Sequence, residues 1–433
     1  MQRLQRARAW VAARPPSTFL LGGWAVFVLG CYPGYLSVDS ALEFYEVRGG
    51  TYSDTHPALA TLLWRAFEWV MAGPFPMLLL QSGLLLFGAA ALLRKVLSPR
   101  AAALGAVAVL LFPPVSAAMS PIWPDSLMAG ALVAGLAALL EPRRRWKLVG
   151  LALLVLACNC RFACIAAVVP LLAIVPTSLI GWRRVAAIAG VAIAIEGAAI
   201  AADRILVDSD DYLAEQALML PDTVAVMRRH HVTSERSLEA AFAGVPLLDA
   251  HRLREITGGK HDPSDWWGLA HGDRRSFDPV VDPDEAWALY RDWRHAALNH
   301  PADYLRHRIQ MAKRLVGWVE PADPIFDDLG DFDLLAPMHH RAIPSTWELA
   351  TRAVAHAADS LRLFRVWLYL VAAIALLVLV RVPLVRALTA SGLAYELAMA
   401  LFAGGFDYRF SHWLVTATCI AGAAAALSRR YAR

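Results

Sequence analysis

Charge is scarce in this chain. Only 18% of its 433 residues are Asp, Glu, Lys or Arg, and they fall in clusters. A soluble domain carries about 25% charge, so the composition points away from that class. Cysteine is scarce too. Cys31, Cys158, Cys160, Cys164 and Cys419 all lie in or beside apolar runs, which argues against a disulfide framework. The spacing Cys158-x-Cys160-x-x-x-Cys164 has no second ligand pair nearby and reads as small core residues rather than a metal site. No basic stripe runs through a polar domain, so nucleic acid is not an expected partner. The histidines, among them His230, His231, His251, His261, His271, His295, His300 and His307, show no HExxH or similar spacing. Ser40 and His56 lack the GxSxG element of a serine hydrolase. No internal repeat stands out.

Apolar residues are what the chain has in quantity: 58% of the total, with a mean hydropathy of +0.45. A membrane span needs about 20 of them in a row. Spans are expected near 18–35, 76–93, 101–119, 126–140, 147–160, 163–180, 185–202, 363–380, 384–402 and 412–427. Cytoplasmic loops carry the Lys and Arg excess. Arg3, Arg6, Arg8 and Arg14 therefore place the start inside. Arg94, Lys95 and Arg100, then Arg143, Arg144, Arg145 and Lys147, then Arg183 and Arg184, then Arg381 and Arg386, and finally Arg429, Arg430 and Arg433 also fall inside. About ten spans satisfy every cluster. The first is read as a retained span, because its apolar run is long and Tyr32-Pro33-Gly34-Tyr35 is no small-residue cleavage site.

Residues 57–72 are apolar but contain Arg65 and Glu68. A charge at the bilayer centre costs roughly 2.5–3.5 kcal/mol on insertion scales, so this segment is expected to lie at the outer surface with Trp64 and Trp69 at the interface. The expected fold is thus all-α and polytopic. An N-terminal transmembrane module, 1–202, carries a first outer loop at 33–75. A polar, mostly helical periplasmic insertion follows at 203–361, and a C-terminal three-span module at 362–433. Within the insertion, Val281-Asp282-Pro283-Asp284 marks a helix start. Asn299-His300-Pro301 breaks the periodicity of 284–319 into two helices, and 320–345 reads as loop.

This topology gathers polar groups at one depth from four outer loops. The first offers Asp39, Glu43, Glu46, Arg48, Asp54 and His56; the second Asp125; the third Asn159 and Arg161; the last Asp407 and Arg409. Arginines suit a phosphate-bearing lipid headgroup, and a carboxylate suits an attacking hydroxyl. Each residue also has a plainer reading. Ser37, Asp39 or Ser40 can cap a helix over 41–48, and Asp54 one over 57–72. Asp125 at the start of the fourth span favours the helix dipole. Arg161 can snorkel, and Asp407 can pair with Arg409. His56 can be a polar turn residue.

The motifs then add a resemblance. Tyr32-Pro33-Gly34-Tyr35-Leu36-Ser37-Val38-Asp39-Ser40 and Asp54-Thr55-His56-Pro57 resemble a bacterial branch of the GT-C superfamily of integral-membrane glycosyltransferases. That branch bears a YPG-x-x-S-x-D-S segment followed by D-x-H-P. Trp123-Pro124-Asp125, the Asn299–Arg308 stretch and Asp407-Tyr408-Arg409-Phe410 are similar to it too. The resemblance implies an inverting hexosyl or pentosyl transfer from a polyprenyl-phosphate sugar to a lipid or polysaccharide acceptor at the outer face of a bacterial inner membrane. It implies that Asp39 is the general base and that Arg161 and Arg409 stabilise the leaving phosphate. Asp54, His56, Asp125 and Asp407 would bind substrate, and a divalent metal is optional rather than required. The chain departs from the branch where Trp123-Pro124 replaces a lysine-bearing turn, and where Cys158-Asn159-Cys160-Arg161 replaces an Arg-x-Asn order. A transporter or flippase is the alternative that Glu196 and Pro113-Pro114 keep open; the gathering of polar groups at one face favours an enzyme.

Overall fold

The computed structural model describes residues 14–232, 234–260, 262–264, 266–270, 275–319 and 346–428. The expected loop 320–345, most of the N-terminal basic cluster, the basic tail, His261 and His271 lie outside the described residues. Among the described residues the regular structure is helical, and strand pairing is limited to isolated bridges. The chain is a multi-pass helical membrane protein.

Phe75–Leu93, Gly181–Leu206, Pro383–Phe402 and Tyr408–Leu427 are long and apolar enough to cross a bilayer. The stretch expected as one span over 101–119 is instead Pro99–Leu110 followed by Pro113–Met119, bent by 68°. Pro113 and Pro114 cause the break. They cannot donate to the preceding turn, and their rings clash with it. Just past the bend, the Pro114 carbonyl accepts from Tyr408 Oη at 3.0 Å. Pro16–Cys31, Pro124–Leu139 and Val366–Leu379 are shorter apolar helices. Arg144–Cys160 starts with its basic cluster, and Cys164–Leu172 stops well before the expected end at 180. Length and composition thus support five of the expected crossings when the bent pair is counted as one.

Glycine sets how closely the central helices approach. A Cβ on Gly88 would lie 2.8 Å from the Ala134 backbone, and one on Gly130 would lie 2.7 Å from the Gln81 carbonyl. In a bilayer, close backbone approach through small residues replaces the hydrophobic drive between helices. Gln81 is fully buried there and its amide donates to the carbonyls of Met119 and Pro121 at 2.8 and 2.7 Å. That satisfies the end of the bent segment.

The segment with Arg65 and Glu68 forms the helix Ala58–Glu68, too short to span. Arg48 holds Glu68 through Nε and Nη2 at 3.0 and 2.8 Å, and Arg65 donates to Tyr52 Oη at 3.2 Å. Glu68 is therefore paired and Arg65 hydrogen-bonded beside the bundle. Asn159 positions this helix: its Oδ1 accepts from Leu59 N at 3.0 Å, while its Nδ2 donates to Asp203 at 2.7 Å.

The polar segment after Gly181–Leu206 builds a small apolar core of its own around Leu220, Phe242, Leu253, Phe277 and Leu289. Asp282 caps Pro283–Asn299, and His300 separates that helix from Pro301–Leu315. One buried ionic joint ties this unit to the bundle. Arg308 donates to Asp222 at 3.1 Å and to the carbonyls of Ala400 and Ala403 at 3.3 and 2.7 Å. Those carbonyls belong to the end of Pro383–Phe402, where a cation is favoured by the helix dipole.

Candidate active site

Four chain segments meet at the face of the bundle that carries the insertion. The first is the helix Val38–Gly49. Its N-cap is Ser37, whose Oγ accepts from Ser40 N at 3.3 Å. Trp123 Nε1 donates to the same Oγ at 2.7 Å, and Ser40 Oγ donates to the Ile122 carbonyl at 2.7 Å. Tyr35 and Ile122 exchange backbone contacts as well, with Ile122 N donating to the Tyr35 carbonyl at 2.9 Å. The second segment is thereby locked onto the first. Because Ser37 caps the helix, Asp39 in its first turn turns its carboxylate to Arg409, at 2.5 Å.

Arg409 comes from a short 3-10 turn, Tyr408–Ser411, capped by Asp407. Asp407 accepts from Arg409 N at 3.1 Å and pairs with its Nε at 3.0 Å. Arg409 is thus held between two carboxylates. Arg161 sits in the break between Arg144–Cys160 and Cys164–Leu172. It grips the fully buried Asp125 in a bidentate pair, Nε to Oδ1 at 2.8 Å and Nη2 to Oδ2 at 2.6 Å. The Phe410 ring joins the two arginines, with the Arg161 and Arg409 guanidinium carbons 4.9 and 5.3 Å from its centroid. Trp123 offers Arg409 a second aromatic face at 5.1 Å. Such cation–π contacts each contribute about 0.5–2 kcal/mol. Three carboxylates and two guanidiniums therefore share one aromatic-lined site.

The structure brings Asp39, Asp125, Arg161, Asp407 and Arg409 together. It places Asp54 elsewhere. Asp54 accepts from the backbone N–H groups of Asp211 and Tyr212 at 2.6 and 3.0 Å, beside the bridge between Ser53 and Ser209. It fastens the loop to the start of the insertion and does not cap the helix that follows, whose N-cap is Pro57 with no side-chain bond. His56 is buried and bonds Glu46 at 3.0 Å. Asp54, His56 and Asp125 thus sit in different surroundings, and the described residues contain no group of three or more His, Cys, Asp or Glu arranged to hold a metal.

Glu43 and Glu46 are the acidic groups that sequence reasoning left among ordinary loop polars. With Asp39 they share a helical face at i, i+4 and i+7, a signal present in the sequence. Glu43 is buried and accepts from Thr61 Oγ1 at 3.2 Å. Burial pushes its carboxyl up to about 7, against the opposing charge of His56. Burial also works against charging His56, but the Glu46 hydrogen bond and the charges of Glu43, Glu46 and Asp39 outweigh it and raise the imidazole above its ordinary value. Burial raises Asp39 as well; Arg409, Arg161 and His56 together overcome this and hold it below the usual carboxylate range. Asp39 is therefore ionised at neutral pH, and its side chain remains 45% exposed, open to a substrate.

No protein-family model and no curated protein matches the chain. Among solved structures, the crystal structure of ArnT from Cupriavidus metallidurans bound to undecaprenyl phosphate overlaps 96% of this chain and 78% of its own, at 14% identity and a TM-score of 0.35. A likeness this loose carries no argument about the chemistry of the present site.

Proposed function

We propose that the protein is a membrane glycosyltransferase that moves a hexosyl or pentosyl group from a polyprenyl-phosphate carrier to a lipid or polysaccharide acceptor. The observation that supports it is the Asp39–Arg409 pair, an accessible carboxylate in contact with a guanidinium at a membrane-bundle face. The distribution of basic residues in the sequence supports an outward-facing site in a bacterial inner membrane, with both termini cytoplasmic.

The mechanism follows from the pairing. Asp39 accepts the proton of the acceptor hydroxyl as that oxygen attacks the anomeric carbon. The bond from that carbon to the carrier phosphate breaks, and the phosphate leaves with the electron pair. One displacement inverts the anomeric centre. Arg409 stabilises the charge that grows on the departing oxygen. It is committed to Asp39 and Asp407 before substrate arrives, so a bound phosphate competes with these carboxylates for it. Drawing Arg409 toward phosphate weakens its hold on Asp39 and makes that carboxylate a better base as the donor binds. Arg161, held by Asp125 through Nε and Nη2, stacks on Phe410 and supplies positive charge beside Arg409.

The test uses purified protein in sealed vesicles and a panel of polyprenyl-phosphate sugars radiolabelled in the sugar. Transfer moves label from carrier to an acceptor. A label that crosses the bilayer still attached to its carrier would instead establish a flippase, and retention on the carrier without movement across the panel would contradict both activities for those donors.

A further inference from the structure

The helix Pro301–Leu315 has two uses beyond the Arg308 joint. Residues Ile309, Ala312, Lys313 and Val316 recur at i, i+3, i+4 and i+7 and line an apolar groove of about 360 Å³ against Leu370, Leu393 and Leu397 of two apolar helices. The neighbouring stripe, His307, Gln310 and Arg314, lines a polar cavity of about 570 Å³ within the insertion. Lys313 borders both. The cavity is strongly basic: Arg228, Arg229, Lys313 and Arg314 face it, with Asp262 the acidic residue among its lining. Asp262 pairs with Arg314 at 2.5 Å, and Arg229 donates to Gln310 at 3.1 Å. Trp318 lines the groove and packs edge-on against Trp367, their centroids 5.8 Å apart. Such aromatic pairs favour the headgroup level of a bilayer. Glu396 also lines the groove but is buried, with Oε1 taken by Ser411 at 2.8 Å.

An apolar groove on the membrane helices that shares Lys313 with a basic cavity has the polarity of one kind of molecule. We infer that this junction binds an anionic phospholipid, with its phosphate in the Arg228–Arg229–Lys313–Arg314 cavity and a hydrocarbon chain along the Ile309–Ala312–Val316 groove. The charges match a phosphate, and Lys313 bridges from tail to head by its aliphatic stem. The assignment stands apart from the glycosyltransferase reading, because it concerns binding alone. Under that reading the lipid lies next to the catalytic loop: Arg314 stacks 5.0 Å from the ring centroid of Phe406, the neighbour of Asp407.

The experiment titrates the full chain in detergent with dioleoyl phosphatidylglycerol or dioleoyl phosphatidylcholine and counts bound lipid by native mass spectrometry, with inorganic phosphate as competitor. The wild type should bind phosphatidylglycerol at least tenfold more tightly than phosphatidylcholine. Lys313→Gln combined with Arg229→Gln should erase that preference, and Ala312→Phe should weaken phosphatidylglycerol at least fivefold by filling the groove. Lys313→Gln alone, at an exposed side chain, carries the charge test if the double variant does not fold. Equal binding of the two lipids by the wild type would overturn the inference. So would a preference that survives loss of the charges. Displacement by millimolar phosphate together with indifference to Ala312→Phe would reduce the site to an anion pocket without a lipid groove and overturn it equally.

Discussion

The Asp125–Arg161 pair offers a test in which structure and chemistry separate. Asp125 is fully buried, and both its oxygens are taken by Arg161. Asp125→Ala leaves the Arg161 guanidinium facing Phe410 without its paired carboxylate. Breaking a buried pair by removing one partner costs about 3–5 kcal/mol. The Arg161 side chain is 23% exposed, so water offsets part of the loss and the low end applies, about 3 kcal/mol. At roughly 2 °C per kcal/mol for a large domain, the apparent Tm in detergent should fall by about 6 °C. Replacing both partners with apolar groups of similar size, Asp125→Leu with Arg161→Met, removes the orphaned charge and should restore most of that loss. Thermal unfolding of both variants at matched detergent and scan rate reads the difference. A single variant that loses less than about 2 °C, or a double variant no more stable than the single, would refute the claim that an uncompensated charge is what the pair prevents. The double variant should still transfer sugar poorly, because the arginine charge beside Arg409 is gone.

Three further outcomes follow from the geometry. Arg308→Met removes the guanidinium from the buried Asp222, leaving it Trp293 and His307, and uncaps the carbonyls of Ala400 and Ala403; it should cost about 3 kcal/mol and expose the insertion to limited proteolysis, and an unchanged cleavage rate would contradict the joint. Glu43 has a folded value of about 7 against an ordinary 4.5, so the folded state holds its proton more tightly. Its contribution to stability is therefore greatest below about 4.5, declines as pH rises toward about 7 and is level above, by on the order of 3 kcal/mol. His56, also raised, acts with the same sign. Glu43→Gln should flatten part of the Tm difference between pH 5 and pH 8, and a difference that persists in full would count against the burial argument. Gly130→Ala places a Cβ 2.7 Å from the Gln81 carbonyl; the overpacking should cost about 1–3 kcal/mol, read as a lower Tm, and a neutral result would show that these helices can part.

What the sequence made legible follows from how local each signal is. Apolar runs and basic clusters gave the helical membrane architecture, because hydropathy is read residue by residue. Placing Asp39, Asp125, Arg161, Asp407 and Arg409 at one face required only the order of loops, and the structure sets these side chains in contact; their chemical roles are for experiment. The bend at Pro113 was written in the Pro113-Pro114 pair and was hidden by the apolar residues around it. Asp54 and His56 belong to one D-x-H-P segment and were both substrate-binding candidates, and in the structure they turn apart. Asp54 meets backbone N–H groups of residues 211 and 212, and His56 meets Glu46. Which backbone donors a fold leaves free is set by tertiary approach, so no local pattern announces it. The Arg308 joint is hidden for the same reason: its partners lie far away in sequence at Asp222, Ala400 and Ala403. Glu43 was visible in the register of its helix, but its burial was not.

The central claim is that Asp39 takes the proton from the acceptor hydroxyl. The most direct measurement is the initial rate of sugar transfer from polyprenyl-phosphate donors by wild type and Asp39→Asn, at equal amounts of folded protein. A positioned general base contributes about 10²–10⁴-fold, so Asp39→Asn should lose at least about a hundredfold, with Asp39→Glu recovering part of it. Transfer by Asp39→Asn at the wild-type rate would contradict the account and move the base to another carboxylate.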